Sequence, residues 1–204
     1  YSHEFQALCE TGEDTIHICD NCKIAINQEI IGQHANCPNC GNSDLHQAKA
    51  VEIGNIFKLG TRFSQPFTVK YTDESGQEQD VIMGCYGIGP SRLMGTIVEL
   101  MHDQQGIIWP EEVAPFKIHL LSFRQSDQAE KLYQELISAG LEVLYDDRDE
   151  SIGSKLSDAD LIGCPYSLFI SEKSLKQGGV ELKLRAKEGT EIIKIDKVTA
   201  YFSK

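Results

Sequence analysis

The chain has 204 residues, enough for one large or two small domains, and its 41% hydrophobic content suffices to build ordinary cores. A formal net charge of -12 excludes nucleic-acid binding through a generally basic surface and leaves room only for a local patch; residues 175–204, with seven Lys/Arg against four Asp/Glu, are the one mildly basic stretch. With no run of eighteen apolar residues and no charged-then-apolar leader, neither a membrane span nor a signal peptide is expected, and the seven cysteines then point to a reducing, cytoplasmic setting.

In chain order, Ser2-His3-Glu4-Phe5 reads as an opening strand. Two CxxC knuckles follow, Cys19 to Cys22 and Cys37 to Cys40, separated by fourteen residues. That spacing can gather four thiolates into the tetrahedron zinc prefers, and a filled shell makes the site structural. His17, His34 and His46 are possible substitutes for a thiolate. A redox pair is the remaining alternative, although redox work requires a low thiol pKa, which this acidic region disfavours.

Further on, FTVKYTDESGQEQDVIMG places a polar turn, Asp73-Glu74-Ser75-Gly76, between extended runs and predicts a hairpin. It delivers the chain to VIMGCYGIGPSRL, residues 81 to 93. Gly84, Gly87 and Gly89 suit backbone that passes close to a ligand, and Pro90 suits the first position of a helix. Leu93, Ile97, Leu100 and Met101 then recur at helical spacing, so the first half reads as antiparallel strands around one helix. Arg92 is out of place in a first turn, where the helix dipole disfavours a cation unless an anion engages both. A dinucleotide fingerprint would want a third glycine where Arg92 stands, and a P-loop would end in Gly-Lys-Ser/Thr; neither fits.

Two prolines around a short acidic segment, Trp109 to Pro115, mark a linker. Beyond it Ile118, Leu120 and Leu121 open a strand. A helix from Ser126 to Gly140, the strand LEVLYDD, a helix from about Lys155 to Ile162 and the strand at 166 to 171 alternate as in a parallel sheet. The end departs from that rule: Val180, Leu182, Leu184 and Ala186 alternate with polar residues, turn at Glu188-Gly189-Thr190 and meet EIIKI in a hairpin, before a helix bearing Val198, Tyr201 and Phe202.

Five separated segments, EIGNIFKLGTRFS (52 to 64), VIMGCYGIGPSRL, HDQQGIIWP (102 to 110), APFKIHLL (114 to 121) and DDRDE followed by SDADLIGCP, carry a resemblance. In this order they resemble the C-terminal half of prolyl-tRNA synthetases of the bacterial type, a family of class II aminoacyl-tRNA synthetases. The resemblance implies an α+β architecture. Residues 1–112 would be the end of an antiparallel-sheet catalytic domain with a zinc-ribbon-like insert at 15–46, and 113–204 an α/β anticodon-binding domain with a mixed sheet. It implies ATP-dependent joining of proline to tRNA(Pro) by a homodimer, with Mg2+ accompanying ATP.

Arg92 stands where the family's third signature motif has an arginine that contacts the ATP γ-phosphate; the alternative is an arginine paired with an acidic surface neighbour. Glu52 resembles the family acid near ATP and magnesium, and Gly89 would let backbone approach the nucleotide. His3, Glu4, Asn55, Cys85 and Gly87 fall at places that border proline in the family, where histidine often stands in place of Asn55. Arg148, Lys155, Lys173 and Arg185 are the candidate cations for the anticodon. The large editing domain of many bacterial members is expected to be missing, and the first and second signature motifs are not recognisable. The chain is therefore expected to be an inactive segment of a larger enzyme; the alternative is a truncated paralogue that binds tRNA or nucleotide without chemistry.

Overall fold

The computed structural model of the chain describes residues 2–202, which fall into two compact units divided between Leu100 and Met101. Among the described residues no helix is long and apolar enough to cross a membrane.

The first unit is organised by one strand. β1 (Ser2–Leu8), β2 (Asp14–Cys19) and β3 (Ala25–Asn27) lead to β4 (Leu45–Gly60); a short hairpin, β5 (Lys70–Thr72) and β6 (Glu78–Asp80), precedes β7 (Met83–Ile88) and helix α1 (Pro90–Leu100). With sixteen residues at about 3.4 Å each, β4 is long enough to take different neighbours along its length. β1 pairs antiparallel with one edge, from Ser2 opposite Phe57 to Leu8 opposite Ala50. The other edge holds β2 near its start, with Cys19 opposite Leu45, and β7 near its end, with Gly54 opposite Ile88. One strand thus joins the cysteine knuckles to the glycine-rich stretch.

The β1–β4 ladder slips once: Phe5 faces Gly54 but Gln6 faces Glu52, which leaves Ile53 as an extra residue. Side chains alternate along a regular strand, so positions 52 and 55 would point to opposite faces; the bulge brings them to the same one.

The second unit contains β8 (Ile118–Ser122), α2 (Ser126–Ser138), β9 (Val143–Asp146), α3 (Ile152–Ile162), β10 (Tyr166–Ile170), α4 (Glu172–Lys176), β11 (Gly179–Leu184), β12 (Thr190–Lys194) and α5 (Val198–Phe202). Its sheet runs β12-β11-β10-β8-β9; β9, β8 and β10 are parallel, and β11 and β12 are antiparallel, which is the mixed sheet that the alternation followed by a hairpin predicts. All five residues of β8 are buried, as befits a parallel strand covered on both faces. Ile118 and Leu120 pack with Leu132, Leu136, Leu168 and Val198, whereas Leu121 packs with Ala159 and Phe169.

Helix α3 starts a turn before the predicted Lys155 because Ser151 caps it, its hydroxyl accepting from the Ser154 N–H, and it stops at left-handed Gly163. Any side chain at Gly163 would collide with the Ile107 carbonyl. Helix α4, not foreseen in the sequence, is held by Ser171 and Ser174 in a reciprocal capping box.

Candidate active site and metal centre

Gly89 precedes α1 and its carbonyl accepts from the Leu93 N–H at 2.8 Å, so the helix begins where Pro90 predicts. Where β7 and β4 run together beside this helix start there is an open cavity of about 450 Å³, lined by Glu52, Asn55, Gly87, Gly89 and Arg92 with their neighbours. Arg92 Nη1 donates to the Glu52 carbonyl at 3.0 Å and lies 3.5 Å from Glu52 Oε2. Asn55 Nδ2 donates to Glu52 Oε1 at 2.8 Å.

The bulge at Ile53 makes this arrangement possible, because it turns Glu52 and Asn55 to one face. Gly87, opposite Asn55, carries no Cβ, and a Cβ there would lie 2.7 Å from Asn55 Oδ1. The Arg92 side chain remains 56% exposed, and a guanidinium has five donors, so its contacts with Glu52 leave others for an anion.

The cavity therefore gathers Arg92, Glu52, Gly89, Asn55 and Gly87. Glu4 pairs with Asn55 across β1 and β4, and its carboxylate accepts from Ser2 Oγ and Gln6 Nε2, each at 3.0 Å. Cys85 is exposed opposite Phe57, two positions before Gly87. Neither Glu4 nor Cys85 lines the cavity. His3 pairs with Ile56 and so points to the face away from Asn55, which separates it from the group expected to border proline.

At the other end of β4, the sulfur atoms of Cys19, Cys22, Cys37 and Cys40 all lie within 4.8 Å of one another. Cys19 and Cys40, and likewise Cys22 and Cys37, are 3.5 Å apart, near the edge of about 3.8 Å expected for a tetrahedron with metal–sulfur bonds of about 2.3 Å. The two knuckles share a turn: Lys23 N–H donates to the Cys19 carbonyl and Gly41 N–H to that of Cys37, with Lys23 and Gly41 at φ 60° and 75°. Burial opposes ionisation of the Cys19 thiol, but the Cys22 backbone, the contact with Cys40 and the Asn42 amide bring it down to about 6, contrary to the expectation that the acidic surroundings keep it high. The cluster can hold a metal ion, and its four soft donors fit a four-coordinate one. His17 and His46 are engaged elsewhere, with Gln28 and Asp20, and His34 is not in the cluster.

In the second unit, two of the four cations expected at the anticodon are internal. Lys155 is 3% exposed and its ammonium donates to the Ser122 and Asp146 carbonyls, at 3.1 and 3.0 Å. Arg185 is 5% exposed, donates through both terminal nitrogens to Asp103 at 2.7 and 2.6 Å, and holds the Asp103 carboxyl well below the usual carboxylate range. Both are buried and make their contacts with protein oxygen, so neither presents an exposed cation to RNA. Arg148 is half-exposed and fixed by Asp146 and Asp158, with contacts of 2.8 to 3.0 Å, and Lys173 is exposed. The missed partners, Asp103 and Asp146, left no sequence signal because they are ordinary acids until the fold places a cation against them.

Two sequence families match: the tRNA synthetase class II core domain (G, H, P, S and T) over residues 2–101, and the anticodon binding domain over residues 113–204. The chain is 47% identical over 154 residues to a proline-tRNA ligase of Endomicrobium trichonymphae, a match covering 73% of this chain and 27% of that protein. It is 43% identical over 169 residues to that of Bacillus subtilis (80% and 30%), and 39% identical over 230 residues to that of Methylobacterium nodulans (97% and 52%). The chain thus spans about half or less of the length of these relatives. In fold it is similar to the crystal structure of prolyl-tRNA synthetase from Cryptosporidium parvum complexed with L-proline and AMP, with a TM-score of 0.64 over 92% of this chain and 39% of that one at 19% identity. With a class II core, an anticodon-binding domain and this set of relatives, the chain belongs to the proline-tRNA ligase family.

Proposed function

We propose that the chain serves the ATP-dependent activation of proline and its transfer to tRNA(Pro), as part of a homodimeric enzyme in which residues 1–112 contribute to the active site and 113–204 bind the anticodon arm. The observation that carries this reading is Arg92, half-exposed in the first turn of α1, beside Glu52 and at the mouth of a glycine-lined cavity. In the reaction the proline carboxylate attacks the α-phosphate, an acyl-phosphate bond forms, and pyrophosphate leaves. The tRNA hydroxyl then displaces AMP.

No side chain is asked to act as a nucleophile, so positioning and electrostatics carry the rate. Arg92 holds the γ-phosphate and offsets charge on the departing pyrophosphate. Gly89 lets the backbone approach the nucleotide. Glu52 would supply carboxylate oxygen to the Mg2+ that accompanies ATP, a hard donor for a hard cation. Asn55 and Gly87 border the amino-acid side of the cavity, with Glu4 and Cys85 at adjoining positions. The four cysteines would hold Zn2+ as a closed structural site. Arg148 and Lys173 are the cations offered to tRNA.

The test is proline-dependent exchange between ATP and pyrophosphate, followed by prolylation of tRNA(Pro), in the complete polypeptide that carries this sequence. Exchange that proline supports and alanine supports weakly agrees with the reading. Absence of proline-dependent exchange refutes it.

A further inference from the structure

We propose that Asn55 is a positioning residue: through the Glu52 carboxylate it fixes the direction in which Arg92 presents its guanidinium, and so it serves the nucleotide as well as bordering the amino acid. The inference rests on the functional reading above.

Glu52 stands between two donors. Asn55 Nδ2 holds Oε1 at 2.8 Å, and with that oxygen fixed the second, Oε2, faces Arg92 Nη1 at 3.5 Å, while the same nitrogen donates to the Glu52 carbonyl at 3.0 Å. A long, half-exposed arginine would otherwise sample many rotamers and lose that freedom when it met a phosphate. A side chain already directed loses less, which is how preorganisation raises affinity.

Two features of the backbone permit this chain of contacts. The bulge at Ile53 brings residues 52 and 55, three apart, onto one face, where a regular strand would separate them. On the facing strand, Gly87 leaves the space that the Asn55 amide fills; a Cβ there would lie 2.7 Å from Asn55 Oδ1 and push the amide off Glu52. Gly87 and Asn55 thus act as a pair, and the contact of the amide with Glu52 directs it toward the nucleotide end of the cavity.

The test uses the complete polypeptide and the isosteric variant Asn55→Asp, which keeps the shape and puts an acceptor where the carboxylate needs a donor. The KM for ATP in proline-dependent exchange should rise about two- to fivefold, the factor that fixing an exposed charged pair is worth. Calorimetric binding of a non-hydrolysable ATP analogue, read without turnover, should weaken by a similar factor. Asn55→His, whose ring Nδ1–H lies as many bonds from Cβ as the amide N–H, should recover most of the affinity. Gly87→Ala should reproduce the defect, and combining it with Asn55→Asp should add little, because both break one contact. Wild-type exchange together with unchanged analogue binding in Asn55→Asp, or a rise confined to the KM for proline, overturns this inference alone. Absence of proline-dependent exchange in the wild type overturns the functional reading, and this inference with it.

Discussion

Replacing Lys155 by Met removes a buried ammonium while keeping the length and apolar character of its stem. In the native chain the Lys155 Nζ donates to the Ser122 and Asp146 carbonyls at 3.1 and 3.0 Å and lies 3.7 Å from Asp146 Oδ1, with both side chains at 4% exposure or less. Each hydrogen bond from a charged donor contributes about 1.5 to 3 kcal/mol. Breaking a buried pair by removing one partner costs about 3 to 5 kcal/mol. Asp146 keeps its two contacts with Arg148, at 3.0 and 2.8 Å, which places the cost near the lower end, about 3 kcal/mol. For a unit of this size the melting midpoint should fall by on the order of 15 °C. Trp109, the only tryptophan, reports on this unit, because its indole N–H donates to the Ile162 carbonyl at the end of α3; its fluorescence during urea and thermal unfolding measures the loss. Where the variant is folded, tRNA binding should keep its salt dependence, whereas loss of a phosphate contact would lower the slope by about one. A stability change below about 1 kcal/mol together with a shallower salt slope would refute the structural role and restore Lys155 to the RNA.

Protein purified under reducing conditions should contain one zinc per chain, and chelation should disorder the segment around β2 and β3; zinc-free protein whose fold is indifferent to chelators would rule out the closed cysteine site. His119 is buried, and burial pushes its pKa down from 6.5 to about 4 against the pull of Asp146 and Asp158, with Arg148 and Lys155 adding to the depression. It is therefore neutral in the folded chain and takes up a proton on unfolding below pH 6.5. The stability it contributes is present above that pH and is lost on acidification toward pH 4, about 2 kcal/mol between pH 7 and pH 5. His119→Leu should flatten that part of the denaturation profile, and an unchanged slope would contradict the assignment. Gly163→Ala should be poorly tolerated, since φ is 78° and a Cβ would strike the Ile107 carbonyl; a melting point equal to that of the wild type would show that the helix end can relax.

The alternation of the second unit was legible because its strands and helices have clean periods and stop signals, as at Gly140 and Gly163. The four cysteines and the start of α1 were legible for a similar reason: the knuckle spacing and the Gly-Pro step act locally. What escaped depends on tertiary geometry. The pairing of Asn55 with Glu52 could not be read from a three-residue spacing, since a strand of regular pleat would separate them, and Gly54, the one local sign of a bulge, does not say which side chains the bulge brings together. Lys155 and Arg185 looked like surface cations because lysine and arginine are rarely buried without a partner, and the partner of Arg185 lies 82 residues away. His3 was placed beside Glu4 by sequence, yet neighbours in a strand face opposite ways. The five-residue α4 is too short for any period, and its cap uses Ser174 where a glutamate would have been recognised.

The most direct measurement is proline-dependent exchange between ATP and pyrophosphate by the Arg92→Ala variant of the complete polypeptide, with tRNA binding measured alongside. A guanidinium that holds the terminal phosphate should, on removal, lower exchange by about 10²- to 10³-fold and leave tRNA affinity nearly intact. Exchange at the wild-type rate would contradict the account.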